Sequence, residues 1–182
     1  LPYKQKRRTR ASIAREKGLQ PLADLILQQA RSGKSLEEIA APFLNEEVTT
    51  IEDALAGAQD IVAETISDHP EVRGKVREKA LKWGLARSQK VKDAEDPKGV
   101  YELYYEAEYR VDRLQPHQIL AINRGEAEKV LRVSVDIAER DWRNSVEDVF
   151  LIDRRSPLAG MLEFAIADAA VRLLLPAIER DV

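Results

Sequence analysis

Residues 50–66 limit what this chain can fold into more than any other stretch. Thr50 with Asp53 reads as a capping box, in which a hydroxyl satisfies a backbone N–H of the first turn. Behind it, Ile51, Leu55, Ala58, Ile61, Val62 and Ile66 recur at helical spacing and hold one apolar stripe. That stripe predicts a helix, and a helix with one apolar side must be covered by other elements.

The flanking segments use the same grammar. Thr9 predicts the start of a short helix that runs to about Lys17, with Gly18 suited to the left-handed stop. A second helix is expected from Pro21, with Leu22, Leu25, Ile26 and Ala30 on one face, ending by Gly33. Ser35 with Glu38 is another capping box, and Pro42 limits the helix it opens. Asp68, His69 and Pro70 break the long helix and begin the next, which places Val72, Val76, Ala80 and Trp83 at helical spacing before Gly84. Further on, Pro116 suits a first turn with Ile119, Leu120 and Ile122 as the buried side, and Trp142, Val146, Val149 and Phe150 mark a helix over 139–151. Ser156 and Pro157 open a long final helix along Leu158, Leu162, Ala165, Ala169 and Leu173, which Pro176 should bend or stop.

Two stretches break the helical pattern. Val130 to Ile137 alternates Val130, Arg132, Ser134 and Asp136 with Leu131, Val133, Val135 and Ile137, a period of two that predicts a strand. A single strand needs a partner, and Leu85 to Val91 is the candidate within the chain. The polar run KDAEDPKG reads as a loop and as the one internal boundary. Tyr101, Tyr104, Tyr105 and Tyr109 share one side if their segment is helical. Such tyrosines could stack nucleobases, but the interleaved Glu102, Glu106 and Glu108 would repel phosphate and favour packing against the body. The expected fold is mainly α, a multihelical array with at most a small β element around residues 85–91 and 130–137. It divides at the loop into 1–92 and 100–182, or forms one domain.

Composition excludes several kinds of chemistry. With no Cys, disulfides, thiolate metal sites and cysteine nucleophiles are absent. No apolar run approaches the roughly 20 residues of a membrane span, because Glu163, Asp168 and Arg172 interrupt the most apolar stretch. The chain therefore reads as soluble and cytoplasmic, with no membrane partner. His69 and His117 stand far apart without a metal-ligand spacing, and no phosphate-cradling loop or nucleophile elbow occurs. Asp141, Glu147, Asp148 and Asp153 are interspersed with Arg140, Arg143, Arg154 and Arg155, the mark of an ion-paired surface more than of a two-metal site. No catalytic residue, metal site, cofactor or enzymatic activity is expected.

Charge supplies the functional candidate. Residues 1–17 hold seven Lys or Arg and one acid, for +6, while the remaining 165 residues hold 22 basic and 31 acidic groups, for −9. Lys4, Lys6, Arg7, Arg8 and Arg10 could follow a phosphate backbone, and Tyr3 could add a stack. The competing reading pairs these cations with the acidic body. The two helices around Gly18 also allow a self-standing helix-turn-helix DNA-binding regulator, although Gln20, Gln28, Gln29 and Arg31 are too scattered to form a base-reading row.

Three segments, LPYKQKRRTRASIAREKGLQPLADLIL, HQILAINRGEAEKVLRVSV and LLLPAIERDV, resemble in this order the Tex family of bacterial transcription accessory proteins. The resemblance implies an interior piece of the N-terminal helical region of a protein several times longer. The family's ribonuclease-H-like domain, helix-hairpin-helix units and RNA-binding OB-fold would lie beyond Val182. It implies a non-enzymatic helical scaffold that supports RNA or DNA binding, with the transcription machinery as a further partner. It also implies apolar surface that other parts of the longer protein would cover.

Overall fold

A computed structural model of the chain describes residues 9–181. Its elements are α1 (Arg10–Glu16), α2 (Gln20–Gln28), α3 (Leu36–Ala40), α4 (Ile51–Asp68), α5 (Pro70–Trp83), β1 (Leu85–Lys90), β2 (Glu106–Arg110), α6 (Pro116–Ala127), β3 (Leu131–Asp136), α7 (Glu139–Glu147), α8 (Ala159–Ala169) and α9 (Leu175–Asp181). The fold is mainly α with one small antiparallel sheet, as the periodicity predicts. Packing divides the chain into two compact units that are discontinuous in sequence: residues 1–73 with 145–176, and residues 74–144 with 177–182.

The first unit is built on α4. Ala54, Ala58, Ile61, Val62, Ala63 and Ile66 are fully buried, and α1, α2 and α8 all lie against this helix. The Thr50 hydroxyl accepts the Asp53 N–H at 3.1 Å, as the capping signature requires. Gly57 allows the close approach of the α1–α2 corner: a Cβ there would lie 2.4 Å from Cδ1 of Leu19, which is buried at the start of α2, and 3.4 Å from Cβ of Ala14 in α1. The Ser35–Glu38 capping box forms too, and Gly18 takes the left-handed conformation at φ +82°.

Two features of this unit depart from the sequence reading. α2 ends before Gly33 as expected but already at Gln28, which leaves Ala30 beyond the helix, because Gln29 itself adopts the left-handed conformation at φ +51°. Its amide explains why a glutamine sits there. The buried Nε2 donates to the carbonyls of Ile26 at 2.7 Å and Leu158 at 3.1 Å, and Oε1 accepts the Asp153 N–H at 3.2 Å. Pro176, expected to bend or stop the last helix, does not stop it. A π-helical stretch, Ala170–Leu174, precedes it, and the wider turn absorbs the missing N–H before α9 resumes.

The second unit contains the sheet, in the order β2-β1-β3 with both pairings antiparallel. The expected pairing of residues 85–91 with 130–137 is present: Ala86 faces Val135 and Ser88 faces Val133. The tyrosines correct the helical reading of their segment. Glu102–Tyr104 is a short 3-10 turn and β2 follows it, so the offsets of three and four record a turn followed by a strand. The packing role stands, since Tyr101 and Tyr104 join Ile122, Val130 and Leu131 in the core of this unit. Their neighbours' polar ends are satisfied as well. The Tyr101 hydroxyl donates to Glu128 at 2.6 Å and that of Tyr105 to Asp96 at 2.7 Å, a bond that pushes the Tyr105 phenol up to about 12. A second correction concerns α6. Of its expected buried side only Ile122 is enclosed, whereas Ile119 and Leu120 are 42% and 69% exposed.

The Gln29 amide yields a test by substitution. Gln29→Gly relieves left-handed strain of roughly 1–2 kcal/mol but strands buried partners that cost about 1–3 kcal/mol each. We expect a net loss of about 1–3 kcal/mol for Gln29→Gly and a larger loss for Gln29→Ala, which keeps the strain. Urea denaturation of the three proteins checks the order; a glycine variant as stable as the parent contradicts this account.

Candidate nucleic-acid interface

The basic arm leads into α1, and the structure shows how its base is held. The Thr9 hydroxyl accepts the Ser12 N–H at 3.0 Å while the Ser12 hydroxyl oxygen accepts the Thr9 N–H at 2.8 Å, closing a reciprocal cap. Ala11 and Ala14 are buried, which seats α1 on α4. The chain before Thr9 is thus attached to a fixed helix end. Lys4, Lys6, Arg7, Arg8 and Tyr3 lie outside the described residues. Arg10, the first residue of α1, is exposed.

The described cations of this end meet carboxylates. Arg15 places Nη1 3.0 Å from Glu64 and donates through Nε to Gln20 at 2.9 Å, and Gln20 in turn donates to Asp24. Arg10 and Lys17 line a recess over Ala14, Leu19 and Val48 that also holds Glu47 and Asp60. Nearby, Arg172 binds Asp168 through Nη2 at 3.0 Å and reaches Asp60 only at 3.8 Å. Burial raises the Asp60 carboxyl above the ordinary range, and the attraction of Arg172 and Arg10 does not fully offset the lost hydration. Arg172 is held charged chiefly by its hydrogen bond to Asp168.

Most of the polar residues in and just after α2 are engaged internally, while Gln28 is exposed. Gln29 is buried in the bonds given above, Gln20 is held between Arg15 and Asp24, and Arg31 pairs with Asp153 at 2.6 Å. Leu22, Ala23 and Ile26 face the core. No base-reading row is presented, so the helix-turn-helix alternative finds no support. Asp153 itself, one of the clustered acids, has its carboxyl lowered first by the Arg31 bond and then by the Arg155 N–H. His69 acts at a helix start, where Nδ1 accepts the Glu71 N–H at 3.2 Å.

One surface escaped the charge count over the first residues. α5 carries Arg73, Lys75, Arg77, Lys79 and Lys82 against Glu71 and Glu78, and it ends in Trp83, which is 60% exposed. The Arg110 guanidinium lies 5.9 Å from the Trp83 ring centre. The string EVRGKVREKALKW was the available signal, hidden by reading the helix for its apolar face alone. Among the described residues no helix is long and apolar enough to cross a membrane, and no group of three or more His, Asp or Glu is placed to hold a metal ion.

Comparison with known proteins gives the context for these features. Residues 32–175 match a family described as Tex central region-like. The chain is 40% identical over its whole length to the uncharacterised protein YdcI of Bacillus subtilis, of which it covers 26%. It is 36% identical over 135 residues to the transcriptional accessory protein Tex of Neisseria gonorrhoeae, a match covering 74% of this chain and 18% of that protein. Over 145 residues it is 30% identical to the human S1 RNA-binding domain-containing protein 1, covering 76% of this chain and 14% of the relative. The chain thus spans about a quarter or less of the lengths of these relatives.

The excess of burial over pairing at Asp60 predicts a pH-dependent effect. A raised folded-state value means that the ionised carboxylate opposes folding above that value and ceases to do so as pH falls below about 4. Asp60→Asn is therefore expected to stabilise the chain at neutral pH, with the difference from the parent vanishing in acid. Thermal melts from pH 7 down to pH 3.5 test this, and a destabilised variant at pH 7 would show that the pairing outweighs the burial.

Proposed function

The chain belongs to the Tex family, and from that premise we propose that it is a non-enzymatic helical scaffold segment of a cytoplasmic transcription accessory protein, supporting RNA or DNA binding. The carrying observation is the seating of α1: a capped helix packed on α4 holds the base of a strongly basic arm. An arm anchored at one end loses less orientational freedom on binding a polyanion than a free tail does. Lys4, Lys6, Arg7 and Arg8 supply the phosphate contacts in this reading, with Tyr3 as a stacking group and the transcription machinery as a further partner. The names of two relatives, a transcriptional accessory protein and an S1 RNA-binding domain-containing protein, favour the nucleic-acid class of partner.

A second reading rests on the ion pairs. Arg15 already pairs with Glu64, and Arg10 sits within the field of Asp60, so the arm could be tied down by its own acidic body. The two readings differ in salt dependence. Binding of single-stranded RNA and of duplex DNA is measured across a salt series for the parent and for a variant with Lys4, Lys6, Arg7 and Arg8 changed to Gln, which leaves Arg10 and Arg15 intact. Four phosphate contacts give a slope of log K against log salt of roughly −3 on single strands and −3.6 on a duplex, and the variant loses most of it. No binding at about 50 mM salt, with a lower melting temperature for the variant, favours the internal tether.

A further inference from the structure

The second unit leaves one apolar groove open. A cavity of about 440 Å³ runs between the sheet, at Val133 and Val135, and α6, at Ile119 and Ile122. Leu81 of α5 lies at its lip, 44% exposed, and the adjoining Ile119 and Leu120 face outward although their spacing fits a buried side. Large aliphatic side chains gathered beside a concave surface mark an interaction site more than scattered ones do.

The charges around the groove decide what fits it. Glu126, Glu179 and Arg180 line it, and the Glu126 carboxylate makes no hydrogen bond or ion pair with any described residue. Arg87 also lines it but is already engaged by Asp136 at 2.6 Å and Glu108 at 3.5 Å. Burial raises the Glu179 carboxyl, and the negative charges of Glu126 and Asp136 add to the rise, while the Val135 N–H and Arg180 act against it. With Glu108 and Asp136 drawn in by Arg87, four carboxylates stand against the two guanidinium groups of Arg87 and Arg180, so the groove presents an apolar floor beside a rim that stays acidic.

We propose that this groove docks a short segment of a partner protein that inserts aliphatic side chains beside Ile119 and sets Lys or Arg against Glu126 and Glu179. A cation there offsets the repulsion between the two carboxylates while the aliphatic groups cover the exposed wall. Nucleic acid is the wrong class for this surface, since phosphate would meet the same carboxylates. A second copy docking through the same patch would bring acid to acid. The partner is distinct from the polyanion of the preceding section, and neither reading requires the other.

The probe is a labelled amphipathic peptide of leucine and lysine, LKKLLKLLKKLLKL, followed by fluorescence anisotropy with the whole chain at low salt. Its counterpart with every lysine replaced by glutamate keeps the apolar face and reverses the charge. The lysine peptide is expected to bind, and the glutamate peptide is not. Glu126→Gln combined with Glu179→Gln should weaken binding about tenfold, and Ile119→Asp should weaken it more. Phe164→Asp, at a 61% exposed position of the other unit, should leave it unchanged. Ile119 and the two glutamates are only partly enclosed, so these variants are expected to fold, and circular dichroism verifies it. Equal binding of both peptides, parental affinity in the double Gln or Ile119→Asp variant, or self-association through this face would overturn the proposal.

Discussion

Everything in the first unit depends on the enclosure of α4. A helix whose Ala54, Ala58, Ile61, Val62, Ala63 and Ile66 are all shut off from water cannot be stable alone, because the apolar stripe that stabilises it exists only when neighbours cover it. The small residues allow those neighbours to come close. Gly57 brings α4 to Leu19 and Ala14, and the alanines let α4 approach α8 without separating the backbones. Loss of this contact would release α1, and with it the fixed base of the basic arm. The seating of a surface charge thus follows from the absence of a side chain on α4, three helices further along the chain.

How far such features could be read in advance depended on the range of the interaction responsible. Thr9, Ser35 and Thr50 act within one helical turn, so their caps were legible as short strings. The alternation of Leu131 to Ile137 likewise disclosed β3, and the need for a partner disclosed β1. Gln29 was illegible because its left-handed turn is supported by Leu158 and Asp153, more than 120 residues away. Tyr105 and Tyr109 were misread because an offset of four fits one face of a strand as well as one face of a helix. Of the candidate interface, composition exposed the arm, and the same counting applied to α5 would have exposed the second basic surface. What composition could not supply was the position of each carboxylate relative to each cation.

Those positions matter because phosphate and carboxylate compete for the same cations. Arg15 is held by Glu64 and Gln20 together, so a phosphate that recruits it must break a geometry with two hydrogen bonds. Arg10 is different: exposed at the start of α1, it makes no ion pair with a described residue, and its attraction to Asp60 does not offset the burial of that carboxyl. A polyanion would therefore engage the arm from its outer end inward and meet rising competition as it nears Arg15. On this argument the acidic surface sets where the nucleic-acid contact ends, without having to abolish it.

The polar interior and the apolar exterior point in opposite directions. Among the described residues no buried side-chain nitrogen or oxygen is left without a hydrogen-bond partner, so the inside is complete as it stands. Outside, Phe164 and Val171 stand exposed on the last helical stretch of the first unit, and Ile119 and Leu120 on α6 of the second. An interior this well satisfied does not require rearrangement to cover such groups; it requires something to dock. Rigid elements that present apolar and charged surfaces in fixed places are what a scaffold needs, because a docking partner then gives up its own freedom without ordering the surface it meets.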